Sequence, residues 1–77
     1  MMDEQTFYHQ LLIELGIESN HALRHFEFRS HASWSSMLAL VTIAFVDEHT
    51  GVLISSAQMQ EAKTLGDLFE IVSKEKT

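Results

Sequence analysis

The segment Trp34-Ser35-Ser36-Met37-Leu38-Ala39-Leu40-Val41-Thr42-Ile43-Ala44-Phe45-Val46-Asp47-Glu48 sets a serine where a polar stretch gives way to an apolar helix ending in two acids. A hydroxyl at such a junction stands in the open. The unpaired N–H groups of the first turn and the positive end of the helix dipole lie beside it. A phosphodiester on the Ser36 oxygen is a favourable anion in that place. A flexible arm starting there can swing into solvent or into a partner's tunnel. Serine is also a routine N-cap, so its position alone identifies nothing.

Other candidates for chemistry carry less. His9, His21, His25, His31 and His49 invite a metal or acid–base role, and His21 and His25 are spaced to share one helical face. No carboxylate completes a ligand set there, so they read as solvated or capping histidines. Ser36 with a histidine has the makings of a nucleophile and base. No Gly-rich elbow or oxyanion-hole motif accompanies it, which argues against a hydrolase. With no cysteine in the chain, disulfides, thiolate metal sites and thiol nucleophiles are excluded.

The elements that must position Ser36 read as helices, because alternating strand patterns never persist and helical spacing recurs. A first helix is expected over about Glu4 to Leu15, with Asp3 as N-cap and Phe7, Leu11 and Leu15 as its apolar stripe, widened by Tyr8 and Leu12. Gly16 followed by Ile17 reads as a Schellman-type stop. From Glu18 to Ser35 the pattern breaks into turns, with room for a short helical turn around Ala22 to His25. Leu23, Phe26 and Phe28 are expected to anchor this long loop to the core, with Trp34 as a further anchor. A second helix is expected over about Ser36 to His49, capped by Ser33 or Ser35 and ended by Thr50-Gly51. A short third helix is expected near Ser56 to Glu61, with Ser55 and Gln58 as a capping box. The last is expected over about Leu65 to Lys74, opened by Thr64 and Asp67. Its apolar face is Leu65, Leu68, Ile71 and Val72, and Lys74 and Lys76 suit its C-terminal end. The tail Lys74-Glu75-Lys76-Thr77 reads as solvated and frayed. The sum is all-α: a small four-helix bundle with three main helices, a short third helix and a long first loop.

The second helix is apolar on all sides, through Met37, Leu38, Leu40, Val41, Ile43, Phe45 and Val46. Such a helix is either buried all round or covered by a partner. A chain of 77 residues cannot bury it completely. Met37, Val41 and Ala44, with Leu40 at the edge, are therefore expected to form an exposed docking patch. The competing reading puts Val41 in the core. Asp47 and Glu48 confine acidic charge to the helix end, so docking is expected to depend weakly on salt.

The same length allows one small domain, 1–77, and makes a deep water-excluding active site hard to build, favouring a carrier or binding module over an enzyme. The net charge is −6, and Arg24, Arg29, Lys63, Lys74 and Lys76 are scattered, which argues against a nucleic-acid partner. The run Met37 to Val46 is too short to cross a bilayer, so no membrane insertion is expected. The start Met1-Met2-Asp3-Glu4 lacks the basic region of a signal peptide, and the expected location is cytoplasmic.

In order and spacing the chain resembles the acyl carrier protein family over most of its length. The matching residues are Trp34-Ser35-Ser36-Met37, Asp47-Glu48, Gly51-Val52 and Lys63-Thr64-Leu65-Gly66-Asp67-Leu68. In that family an Asp-Ser-Leu or Trp-Asp-Ser-Leu/Met stretch opens the second helix. The resemblance implies a bundle of acyl-carrier type and covalent 4'-phosphopantetheine, taken from coenzyme A, on Ser36. It implies acyl thioester cargo of a discrete bacterial fatty-acid, polyketide or secondary-lipid pathway. The implied partners are a phosphopantetheinyl transferase, a ketosynthase and other acyl-processing enzymes, docking through Ser35, Met37, Leu40, Val41, Ala44, Asp47 and Glu48. Two departures stand out. The family's acid before the serine, used in recognition by the transferase, is Ser35 here, which makes Ser35 a rival attachment point. Thr50 replaces a common aromatic, so a smaller core contact is expected there. A peptidyl or aminoacyl carrier shares this chemistry. An unmodified helical interaction module using the apolar second helix is the rival class.

Overall fold

Four helices and the loops between them make up the computed structural model, which describes residues 3–76. The sequence readings at Met1, Met2 and Thr77 fall outside the described residues. Helix α1 spans Glu4–Leu15, α2 Ser36–Thr50, α3 Ser56–Glu61 and α4 Leu65–Lys76. Among the described residues there is no strand.

Local side-chain chemistry sets the helix ends. Asp3 accepts from the Thr6 N–H at 2.9 Å and caps α1. Gly16 takes the left-handed conformation at φ 73°, where a side chain would be strained, and the Ile17 N–H donates to the Leu12 carbonyl at 2.9 Å. Ser55 and Gln58 exchange hydrogen bonds of 2.9 and 3.1 Å, closing the capping box of α3. Thr64 and Asp67 do the same for α4. The Asp67 N–H donates to the Thr64 hydroxyl at 3.1 Å, and the Thr64 N–H donates to the Asp67 carboxylate at 3.2 Å. The last helix continues to Lys76, two residues past the expected end, and Lys74 and Glu75 are exposed as expected.

The core draws on every helix. Phe7, Tyr8, Leu11 and Leu12 of α1 are fully buried with Val46 of α2 and with Leu65, Leu68 and Val72 of α4. Each such side chain contributes roughly 1.5–3 kcal/mol on burial. Phe7 sits at the centre, edge-on to Phe45 and to Phe69 with ring centroids 5.7 and 5.5 Å away. Helix α1 packs on α2 and α4, while α3 lies against α4. Thr50 at the end of α2 is buried. Its hydroxyl donates to the Val46 carbonyl at 2.6 Å and accepts from the Val52 N–H at 3.2 Å, which closes the turn after α2.

The loop over 16–35 departs from expectation in two places. Its helical turns are 3-10 turns at Ser19–His21 and Phe28–Ser30, and Ala22–His25 holds only a tight turn in which Phe26 N–H donates to the Leu23 carbonyl at 3.0 Å. Phe28 is buried and Phe26 packs on the core, but Leu23 is 62% exposed and anchors nothing. Arg24 takes over that task. Its guanidinium pairs with Glu4 of α1 at 2.6 Å and with Glu70 of α4. Its carbonyl accepts from the Gly66 N–H at 2.9 Å, and the Phe26 carbonyl accepts from the Leu65 N–H at 3.0 Å. The loop backbone thereby satisfies two first-turn donors of α4 that would otherwise lack partners.

Candidate functional site around Ser36

Ser35 and Ser36 have separate positions at the start of α2. Ser35 is the N-cap, with extended backbone at φ −153° and its hydroxyl accepting from the Leu38 N–H at 3.4 Å. Ser36 is the first helical residue and is exposed. Among the described residues no side chain or backbone group hydrogen-bonds its hydroxyl. Ser33, the other capping candidate, turns away instead. Its hydroxyl bonds the Nδ1 of His31 at 2.8 Å.

A groove of about 370 Å³ opens beside Ser36, between the loop, α2 and α3. Trp34, Ala39, Leu40, Ile43 and Met59 make its apolar walls. Arg29, Ser36, Ser56 and Gln60 supply its polar atoms. Trp34 is held half-buried with its ring edge-on to Phe28 at 5.3 Å, so it serves both as the expected loop anchor and as a wall of the groove. Arg29 is fixed by Nη1, which donates to the carbonyls of Gln60 at 2.7 Å and Ala62 at 3.3 Å. A cation is favourable against helix C-terminal carbonyls of this kind.

The sequence pattern pointed to Ser36 but not to Arg29, Ser56, Met59 or Gln60. Their one signal was Arg29 itself, a cation next to the buried Phe28 in an acidic chain. The rest depends on how α3 packs.

The outer face of α2 presents Met37, 70% exposed, and Leu40, 68% exposed, with Ala44, Asp47 and Glu48 also exposed. Val41 differs from the expected patch. It is half-buried and packs on the core, because Thr42, Phe45 and Val46 turn that side of the helix inward. The exposed apolar stripe is therefore Met37, Leu40 and Ala44, and it reaches the acids at the helix end.

The remaining candidates take structural places. His21 stacks on Phe26 with centroids 4.8 Å apart, and His31 meets both rings edge-on. His49 lies over Phe45 at 4.3 Å. No group of three or more metal-binding side chains occurs among the described residues. Among those residues, no helix is long and apolar enough to cross a membrane.

The shifted titrations lie away from Ser36. Burial pushes the Tyr8 phenol above its ordinary value, and the hydrogen bond it donates to Glu4 at 2.5 Å adds to that. The Tyr8 hydroxyl and the Arg24 guanidinium hold the Glu4 carboxyl below its ordinary value. At Asp67 desolvation works upward, but the N–H groups of Thr64 and Lys63 and the Thr64 hydroxyl together keep the carboxyl low.

No family model, no curated protein and no solved structure matches this chain.

Proposed function

We propose that the protein is an acyl carrier that receives 4'-phosphopantetheine on Ser36 and acts on no substrate itself. One observation carries the reading: Ser36 is exposed with an uncommitted hydroxyl at the start of α2, while the neighbouring Ser35 hydroxyl is taken up as the cap. Attachment at Ser36 therefore leaves the helix end intact, whereas attachment at Ser35 removes its cap. This favours Ser36 over its rival in the same register that the family resemblance gives.

In the attachment step, the Ser36 oxygen attacks the pantetheine-side phosphorus of coenzyme A. The bond from that phosphorus to adenosine bisphosphate breaks, and the serine proton passes to a base of the transferase. The first-turn N–H groups of α2 and the helix dipole favour the resulting anion. The arm, when attached, supplies a terminal thiol on which acyl cargo is held as a thioester. The cargo belongs to a fatty-acid, polyketide or secondary-lipid pathway of the cytoplasm, and the partners are the transferase, a ketosynthase and related enzymes. Met37, Leu40 and Ala44 give such partners an apolar contact, with Asp47 and Glu48 at its rim. Aminoacyl cargo uses the same chemistry.

The second reading is an unmodified interaction module. The exposure of Met37 and Leu40 favours it, because that stripe is available whether or not Ser36 is loaded. Intact-mass measurement after incubation with coenzyme A and a broad-specificity phosphopantetheinyl transferase separates the two. A carrier gains one phosphopantetheinyl unit, retains that gain in Ser35→Ala and loses it in Ser36→Ala. Absence of any gain leaves the interaction module.

A further inference from the structure

A peroxide meets few sulfur nucleophiles on this chain. There is no cysteine, so no thiol intercepts it. The methionines among the described residues are Met37 and Met59, and the fold treats them oppositely. Met59 of α3 is 3% exposed and belongs to the core. Met37, in the first turn of α2, is 70% exposed. The Met37 thioether therefore meets solvent directly, whereas oxidation of Met59 needs the core to open first.

The position of Met37 gives its oxidation a consequence. With Leu40 and Ala44 it forms one exposed apolar face of α2. It also follows Ser36 directly in the chain, so a macromolecule that closes on the Ser36 hydroxyl covers the Met37 side chain as well. A thioether is a flexible apolar contact, while a sulfoxide is polar and chiral. Pressing the sulfoxide oxygen against an apolar partner surface takes it out of water without a donor, which is unfavourable. Met37 lies outside the core cluster, so the same oxygen is tolerated by the fold itself.

We propose that Met37 is a reversible oxidation site, and that its sulfoxide turns off the apolar contact face of α2 while leaving the fold intact. The oxidant is a hydroperoxide, hydrogen peroxide in the simplest case. The Met37 sulfur attacks one peroxide oxygen, and the S–O bond forms as the O–O bond breaks. The proton on the transferred oxygen passes to the displaced one, which leaves as water. The sulfur is oxidised by two electrons and the peroxide is reduced by two. A sulfoxide reductase reverses the change with a dithiol, which becomes a disulfide while the oxygen leaves as water. The contact role of this face rests on the function proposed above, whereas the site of oxidation does not.

Folded protein is treated with dilute hydrogen peroxide, desalted and mapped by peptide mass. The Met37 peptide is expected to gain one oxygen at least about tenfold faster than the Met59 peptide, and the two rates are expected to converge in concentrated urea. The form oxidised at Met37 is expected to melt within about 3 °C of the untreated protein. Loading of Ser36 from coenzyme A by a broad-specificity transferase is followed by intact mass. Its rate is expected to fall about fivefold or more after oxidation and to recover after treatment with a sulfoxide reductase. Met37→Leu keeps an apolar side chain without the sulfur, so its loading rate is expected to be the same before and after peroxide. That control assigns the loss to residue 37 and not to damage elsewhere. Equal oxidation of the two methionines in the folded protein overturns the site. A loading rate that survives oxidation, or that falls equally in Met37→Leu, overturns the switch and leaves the carrier reading standing. Failure of the untreated protein to load overturns the carrier reading, and retention on a phenyl column then decides the switch. Earlier elution of the oxidised wild type, but not of peroxide-treated Met37→Leu, is expected there, and unchanged elution of the wild type overturns it.

Discussion

Replacing Gly66 by alanine tests how the long loop is held, since this position has no room for a side chain. A Cβ built there lies 2.5 Å from Cγ of Arg24, 3.0 Å from the Arg24 carbonyl oxygen and 3.2 Å from its Nε. Ordinary carbon–carbon contacts are about 3.5–4.0 Å, so Arg24 must retreat by roughly 1 Å. The retreat strains the hydrogen bond from the Gly66 N–H to the Arg24 carbonyl and draws the guanidinium away from Glu4 and Glu70. Alanine gains up to about 1 kcal/mol in a helix through propensity. Against that stand about 1–3 kcal/mol for overpacking and about 0.5–1.5 kcal/mol for the weakened backbone bond. The expected net loss is about 2 kcal/mol, or roughly 8–15 °C in melting temperature for a domain of this size. Urea unfolding followed by far-UV circular dichroism measures it. The Arg24→Ala background supplies the control, because it removes Cγ and Nε and leaves only the carbonyl contact. There the same Gly66→Ala change is expected to fall within about 1 kcal/mol of neutral. If Gly66→Ala stabilises the protein in both backgrounds, the loop does not dock on α4 as described.

Three further outcomes follow from the structure. Ser35→Ala is expected to cost about 0.5–1 kcal/mol in urea unfolding, the low part of the N-cap range because the bond is long, while Ser36→Ala leaves stability unchanged within about 0.5 kcal/mol. On the carrier reading proposed above, Leu40→Asp is expected to weaken binding to a ketosynthase at least about tenfold by calorimetry with little effect on folding, whereas Val41→Asp lowers stability as well, since of the two only Leu40 lies outside the core. Stability is expected to fall at both pH extremes. Asp3, Glu4 and Asp67 titrate below their ordinary values of 3.8, 4.5 and 3.8 when folded, so their contribution is present above those values and lost as pH drops through the lower folded ones. Tyr8 titrates above its ordinary 10.0 when folded, so its contribution is complete below pH 10 and disappears at higher pH. Melting temperatures across pH should show both arms, and Tyr8→Phe should flatten the alkaline one.

The parts of this fold that could be read from sequence are those in which side chain and backbone partner lie within one turn. Asp3 with Thr6, Ser55 with Gln58, Thr64 with Asp67, and Gly16 before Ile17 each complete a local pattern, so the helix limits came out within a residue or two. Ser36 was legible for the same reason, as a hydroxyl one residue past a cap. The loop was not, because its anchors act across the chain. Arg24 reaches α1 and α4 at once, and no local pattern distinguishes it from the exposed Leu23 beside it. Arg29 was missed on similar grounds, since its partners are backbone carbonyls at the end of α3 and carry no sequence signature. Val41 was left open between the patch and the core because α2 is apolar on every face. Only the packing of Thr42 and Phe45 decides which way the helix is turned.

The two consecutive serines at the start of α2 differ in what the fold asks of them: the Ser35 hydroxyl secures the helix end, and the Ser36 hydroxyl secures nothing. A change at the second therefore leaves the bond of the first in place. On the carrier reading proposed above, the arm is attached once at Ser36 and cargo comes and goes on its far thiol, so neither event asks the helix to rebuild its first turn.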